Sequence, residues 1–316
     1  MKKVLITGIE GFVGQYLADY LTNLNYQISG LFFAEPEKKI GKLYYCDIRD
    51  YPSLLKILKE NKPEAIFHLA AQSSVSQAEK NLTETFTINT QGTLNIIEAL
   101  RTAGIKTRMI YISSCEVYGL TANSTHQLTE LSRTNPVSFY ALSKLMAEQI
   151  CQYYYKQYKL ETVILRPFSH TGPGQNENFI FPKIARRIAE IEYGIGDANI
   201  TVGNLDVVRD YTDISDIIKA YYQAFEKCEA GEIYNITTGK SYSIRNGMDF
   251  LLSLSKKKIE VKVSENFKRT NDIPMLTGSA DKFIKLTGWK PEFDFYTTLT
   301  NLLNYYRVML VHQSIH

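Results

Sequence analysis

The sequence predicts an α/β protein: a doubly wound parallel sheet with helices on both faces, followed by a smaller C-terminal α+β lobe. Three observations carry this. Over residues 1–167 short apolar runs alternate with segments of 3.6-residue hydrophobic periodicity, the pattern of repeated βα units. A glycine-rich turn directly follows the first apolar run, Val4-Leu5-Ile6. Beyond Arg166-Pro167 the alternation weakens, loops lengthen and the elements become mixed.

Taken in order, residues 4–7, 27–32, 43–46, 65–69, 109–113 and 162–165 read as buried strands, because each is short and apolar. Helical periodicity fills the intervals at 12–24, 52–60, 90–103 and 138–158. The remainder reads as helices at 181–191 and 213–225, a strand at 233–236 and a last helix from about residue 296. No internal repeat, low-complexity tract or Gly/Ser linker divides the chain. The expected division is a first domain over 1–167, with 203–227 packed on it, and a second lobe over 168–316. They should share a cleft at the carboxyl ends of the strands, where open α/β sheets bind ligands.

Composition narrows the classes. The chain has 316 residues, 44% hydrophobic and 22% charged, with a net charge of +3. That charge is too small to argue for nucleic acid, and Lys256-Lys257-Lys258 reads as a solvated helix end. No apolar run approaches the ~20 residues of a membrane span, and no signal peptide is evident, so the expectation is a cytoplasmic protein. Cys46, Cys115, Cys151 and Cys228 are scattered without a C-x-x-C and read as reduced, buried thiols. His68, His126, His170, His312 and His316 have no ligand spacing, so no metal is expected.

The turn Thr7-Gly8-Ile9-Glu10-Gly11-Phe12-Val13-Gly14 has the properties of a dinucleotide site in a Rossmann-type fold. Gly8 permits the tight turn, Gly11 lets a pyrophosphate approach, and Gly14 lets the next helix pack closely. The N–H groups where that helix starts, at Phe12 and Val13, favour phosphate, as does the helix dipole. The second strand runs into Leu31-Phe32-Phe33-Ala34-Glu35, with neither the acid that binds a ribose hydroxyl nor an arginine for a 2′-phosphate. NADP(H) and NAD(H) both remain open. Asp47-Ile48 follows the third strand; Asp47 either faces the adenine or caps the next turn.

Tyr140 and Lys144 stand four apart in Phe139-Tyr140-Ala141-Leu142-Ser143-Lys144, on one helical face. A carbonyl accepts hydride only if its oxygen receives a proton as charge develops. A phenol near pKa ~10 is a poor acid–base group, and a neighbouring ammonium should lower that value. Ser113 and Ser114 close the strand at 109–113, and Ser114 is the better placed to fix a carbonyl.

Glycine turn, strand, Ser-Ser, loop and Tyr-x-x-x-Lys together resemble the extended short-chain dehydrogenase/reductase family over nearly the whole chain. The resemblance implies that Ser114, Tyr140 and Lys144 form the catalytic set. In it Tyr140 is the acid–base group, Lys144 also holds the nicotinamide ribose and Ser114 binds the substrate oxygen. It implies that Leu69, Ala70 and Ala71, in His68-Leu69-Ala70-Ala71-Gln72, line the cofactor, with Asn89 a structural asparagine behind them.

Arg166-Pro167-Phe168-Ser169-His170-Thr171-Gly172-Pro173-Gly174-Gln175 is similar to a segment of the GDP-4-keto-6-deoxymannose reductases, with Ser169 where they carry asparagine. Val202–Asp210 and Lys268–Pro274 are similar to two further segments. By this resemblance Arg209 is a diphosphate clamp, Arg269 a second phosphate contact, and Asp210 and Asp213 organise the backbone. Phe179 and Lys183 are further candidates for the nucleotide site, and Ser169 for the sugar. Thr287-Gly288-Trp289-Lys290-Pro291 matches a structural segment in which Trp289 packs. The implied activity is NAD(P)H-dependent reduction at C4 of a GDP-4-keto-6-deoxy-hexose, a nucleotide-diphosphate sugar.

Cys115-Glu116 keeps alternatives open. In the family's 4,6-dehydratases the matching pair is Asp-Glu or Ser-Glu, so Glu116 is a candidate base at C5. A C4 epimerase is a further alternative, and a non-catalytic dinucleotide-binding protein is another. Family analogy implies a homodimer built on the helices at 90–103 and 138–158. Tyr153, Tyr154 and Tyr155 suit that surface or a plain core.

Overall fold

The computed structural model describes residues 2–123, 127–264 and 273–313. Seven parallel strands form its main sheet. These are β1 (Lys3–Thr7), β2 (Gln27–Phe32), β3 (Lys42–Tyr45), β4 (Ala65–His68), β5 (Arg108–Ile112), β6 (Thr162–Pro167) and β10 (Ile233–Ile236). Their order is β10-β6-β5-β4-β1-β2-β3. The chain leaves β1 in one direction to β2 and β3, then returns to β4 on the other side of β1. This reversal opens a crevice at the carboxyl ends of β1 and β4.

The period of two in a strand sorts the apolar residues to opposite faces. Val4 and Ile6 join one core with Leu17 and Leu21 of α1 (Phe12–Asn23) and Ile217, Tyr221 and Phe225 of α8 (Ile214–Lys227). Leu5 faces the other, with Leu54 and Leu58 of α2 (Tyr51–Asn61), Ile96 and Leu100 of α5 (Gly92–Ala103) and Cys151 of α6 (Phe139–Tyr158). Burial on both faces explains why these strands read as continuous apolar runs.

A third core joins α7 (Ile180–Glu192), β8 (Asn199–Val202), α9 (Ile244–Ser253) and α11 (Phe295–Gln313) through Phe181, Ile188, Ile200, Leu251, Leu299 and Leu303. Beside it β9 (Val208–Asp213) pairs with β7 (Ser169–Thr171), β11 (Ser241–Ser243) and β13 (Met275–Leu276). β8 pairs in parallel with β12 (Glu260–Val263). Among the described residues no helix is long and apolar enough to cross a membrane.

The strand at 233–236, grouped by sequence with the second lobe, is the edge strand of the main sheet against β6. Tyr234, Asn235 and Ile236 are buried, which a strand of the smaller sheet would not require. Sequence periodicity also missed α3 (Val75–Ala78), α4 (Leu82–Phe86), α9, α10 (Asp281–Thr287) and the short strands, most of them too brief to show a period. Lys256–Lys258 lies just beyond α9 and is exposed.

Candidate active site

The glycine turn is shaped by backbone contacts. Gly8 has φ of +68°, and a Cβ there would stand 2.9 Å from Ala70 N and Cα. A Cβ on Gly14 would strike the Gly8 carbonyl oxygen and stand 2.8 Å from Ile9 Cα. Gly11 differs: it is exposed, and a Cβ would meet only Gly8 O, at 3.3 Å. Gly11 is the N-cap of α1 and provides no side-chain cap. Among the described residues no side chain caps this first turn, whose N–H groups belong to Phe12, Val13 and Gly14. A pyrophosphate fits that cradle.

The loop after β4 sits on this turn. The Ala70 N–H donates to Thr7 Oγ1 at 3.1 Å, and Leu69, Ala70 and Ala71 are half-buried along the crevice. His68 bridges Thr7 Oγ1 (2.8 Å) and Thr93 Oγ1 (2.9 Å), and burial pushes its pKa down to about 3. Asn89, in a π-helical turn (Thr87–Gln91) before α5, accepts from Gln72 N and donates to Gln72 O and Ser143 Oγ. Such π turns are enriched at functional sites.

Ile48 is buried against Gly92. Asp47 accepts from the Arg49 N–H and from its guanidinium, which holds the carboxyl below its ordinary pKa. The local turn is therefore one of its functions. Past β2, Glu10 Oε1 accepts from Phe33 N at 3.0 Å, and the exposed rings of Phe33 and Tyr45 stack 5.9 Å apart.

Ser138 caps α6 by accepting from Ala141 N. One turn in, Tyr140 and Lys144 enter the crevice from the same face, 9% and 4% exposed. The Tyr140 phenol hydrogen-bonds with Ser114. Ser114 Oγ also accepts from the Glu116 N–H at 3.2 Å. Lys144 Nζ donates to the Ile112 carbonyl at 2.7 Å and lies 5.2 Å from the Tyr111 ring centre. Sequence reasoning placed these residues together and the structure does the same.

It reverses one expectation. The Tyr140 pKa is raised, not lowered, by burial above all, against the opposing Ser114 hydrogen bond, with Glu116 and Cys115 raising it further. The Lys144 ammonium is turned to Ile112 O rather than spent on the phenol. Burial pushes Lys144 itself down to about 8, with Glu148 acting in the opposite sense.

The substrate-side candidates divide. Ser169 and His170 lie in β7, half-buried, and the His170 ring lies nearly parallel to Phe12 with centres 6.4 Å apart. That juxtaposition joins the glycine turn to the Ser-His-Thr segment and was not legible in sequence. The segment is braced: Thr171 Oγ1 donates to Gln175 Oε1, Gln175 Nε2 to His170 O, and Tyr16 Oη to Pro173 O. Arg209 is buried in β9, its Nη1 donating to Val208 O (2.9 Å) and Ile273 O (2.8 Å). Asp210 accepts from Thr238, and Asp213 caps α8. Phe179 and Lys183, at the start of α7, are exposed. Arg269 lies outside the described residues. Trp289 is buried and donates Nε1 to Asp216 O. Among the described residues no group of His, Cys, Asp or Glu could hold a metal ion, and the four cysteines are buried free thiols.

A hydroxyl, a protonated phenol and an ammonium beside a dinucleotide cradle could orient and protonate a carbonyl oxygen while a reduced nicotinamide held there supplied the hydride. A family model described as GDP-mannose 4,6 dehydratase matches residues 5–302. GDP-6-deoxy-D-mannose reductase of Pseudomonas aeruginosa is 31% identical, over 96% of each chain. GDP-mannose 4,6-dehydratase of Yersinia enterocolitica is 29% identical, over 90% of this chain and 79% of its own. The structure of RMD from Pseudomonas aeruginosa complexed with NADPH superposes with a TM-score of 0.88 at 31% identity, covering 98% of this chain and 100% of the other.

Proposed function

Because the chain belongs to the GDP-mannose 4,6-dehydratase family of extended short-chain dehydrogenases/reductases, we propose that it reduces the C4 keto group of a GDP-4-keto-6-deoxy-hexose. NADPH or NADH is the reductant. The reduced nicotinamide supplies the hydride. Gly8, Gly11, Phe12, Val13 and Gly14 hold the pyrophosphate, Asp47 and Ile48 flank the adenine, and Leu69, Ala70 and Ala71 line the wall. Ser114 orients the C4 oxygen, Tyr140 Oη donates its proton there, and Lys144 compensates the phenolate left behind while holding the ribose. Arg209 takes the diphosphate, Arg269 assists, and Ser169, Phe179 and Lys183 complete the substrate site.

One observation supports reduction over dehydration. Where the family's dehydratases carry Asp or Ser before the glutamate, this chain has Cys115, packed in a core with Val117, Tyr118, Leu128 and Phe168. Burial holds its thiol well above its ordinary pKa. A thiol enclosed in that core does not replace the carboxylic acid that an Asp offers there to a departing C6 hydroxyl. Dehydration through Glu116 stays as the second reading, because that half-buried carboxylate acts on Tyr140 and the family includes dehydratases.

The test is nicotinamide absorbance after purified protein is mixed with NADPH or NADH and GDP-4-keto-6-deoxymannose. Stoichiometric loss of reduced cofactor is expected. No loss with either, and formation of a 4-keto sugar from GDP-mannose instead, would replace the reductase by the dehydratase.

The reading extends to a cytoplasmic homodimer. Exposed Leu94 of α5 and Tyr153 and Tyr158 of α6 would meet their copies in a four-helix bundle. Of the tyrosine triplet only Tyr153 is outward: Tyr154 donates to Glu98 Oε2 and Tyr155 packs on Gly231. Sedimentation of wild type against Leu94→Glu would report it.

A further inference from the structure

Tyr140 and Lys144 are followed one turn later on the same face of α6 by Glu148, a carboxylate with no exposure. Burying a lone carboxylate is costly, so its partners matter. Arg166, at the end of β6, donates Nε to Oε1 at 2.9 Å and Nη2 to Oε2 at 2.7 Å, the bidentate geometry that fixes a carboxylate in orientation. Its guanidinium rests 4.9 Å from the Tyr118 ring centre. Ser113 Oγ donates to Glu148 Oε1. Ser113 follows Ile112, whose carbonyl receives Lys144 Nζ, and precedes Ser114. One carboxylate therefore ties the helix bearing Tyr140 and Lys144 to the strand end bearing Ser114 and the lysine's acceptor.

We propose that Glu148, clamped by Arg166, is a positioning residue: it fixes the end of β5 against α6 and keeps Lys144 an ammonium aimed at Ile112. The other groups facing Lys144 do not supply this charge. His68 of β4 is neutral, as are Tyr111 of β5 and Tyr140 and Cys151 of α6 at neutral pH. Glu116 acts on Tyr140. Glu148 opposes the burial that drives Lys144 toward its neutral form. With Glu148 gone, Arg166 becomes an unpaired buried cation beside a second one.

This rests on the reading of Lys144 in keto reduction, so wild-type turnover is established first; failure there removes the function, not the geometry. In an active protein, kcat and KM are measured from pH 6 to 9.5 for wild type, Glu148→Gln, Glu148→Asp, the double variant Glu148→Gln/Arg166→Met and Ser113→Ala. In Glu148→Gln the alkaline limb of kcat should move about one pH unit lower, with kcat at pH 8 down about fivefold and KM for the sugar within about twofold. Glu148→Asp should recover most of the limb. If the lone arginine unfolds the single variant, the double variant, neutral at both sites, should fold and still show the lowered limb, by a smaller shift. Ser113→Ala changes no charge: the limb should stay and kcat fall about threefold. A folded variant without the carboxylate that keeps the wild-type limb would overturn the charge role. Full kcat in Ser113→Ala would overturn the tether.

Discussion

Changing Tyr140 to Phe removes one oxygen from a side chain only 9% exposed and leaves the ring's packing intact. Among the described residues the oxygen's partner is Ser114, and Ser114 retains the Glu116 N–H. The stability cost is therefore that of one neutral hydrogen bond, about 1 kcal/mol, and the melting temperature should fall by about 3 °C or less. The kinetic cost is different. A positioned proton donor contributes about 10²- to 10⁴-fold, or about 3–5 kcal/mol at roughly 1.4 kcal/mol per tenfold. Nicotinamide absorbance at saturating sugar should show kcat down by that factor. KM for the sugar and the dissociation constant of NADPH should stay within about threefold, because the ring and Lys144 remain. A folded Phe variant with kcat within threefold of wild type would refute Tyr140 as the donor, and with it the reading of the Ser114–Tyr140–Lys144 set.

Three further outcomes follow from the geometry. Gly14→Ala places a methyl against the Gly8 carbonyl and Ile9 backbone, which no side-chain rotation relieves; calorimetric NADPH binding should be lost, and native affinity would contradict the cradle. The folded chain keeps His68 neutral to about pH 3, whereas an ordinary histidine titrates near 6.5. Between those values the unfolded chain binds the extra proton, so stability falls as pH drops through the window. Denaturant midpoints at pH 7 and 4.5 should therefore diverge more in wild type than in His68→Gln, and equal losses would sink the assignment. Glu116→Gln removes a charge that raises the Tyr140 pKa; reduction should persist within about threefold, while a loss beyond a hundredfold would favour the dehydratase.

How much was legible in the sequence follows from how each feature is encoded. The parallel sheet and its main helices were readable because burial on both faces forces long apolar runs and clear periodicity. Gly8 and Gly14 were readable because backbone contact tolerates no Cβ there. Tyr140 and Lys144 were readable because a helix brings i and i+4 to one face. The place of β10 was not, since a four-residue strand carries no signal for its sheet. The stacking of His170 on Phe12 spans more than 150 positions and depends on how the Ser-His-Thr segment folds back. Glu148 was visible one turn beyond Lys144, but a glutamate on a helix reads as solvated until a buried arginine is found facing it. The direction of the Tyr140 shift was missed because spacing reports proximity to a cation and says nothing of desolvation.

That direction bears on what the site does. A phenol whose pKa is raised by burial holds its proton until a stronger demand appears, so it is set to donate rather than abstract. Around it Lys144 and Arg166 are cations and Glu148 and Glu116 are carboxylates, Glu148 gripping Arg166 and Glu116 acting on the phenol. When Tyr140 gives up its proton, the Lys144 ammonium, held by the Ile112 carbonyl, offsets the phenolate. In a buried crevice the gain from that cancellation is large because little water screens it. The lysine's charge must be in place beforehand for the transition state to benefit, and burial works against it by favouring neutral Lys144. Glu148 opposes that drift, and Arg166 fixes its carboxylate in place. The two residues that no sequence motif assigned to chemistry thus set the electrostatic starting point from which Tyr140 acts.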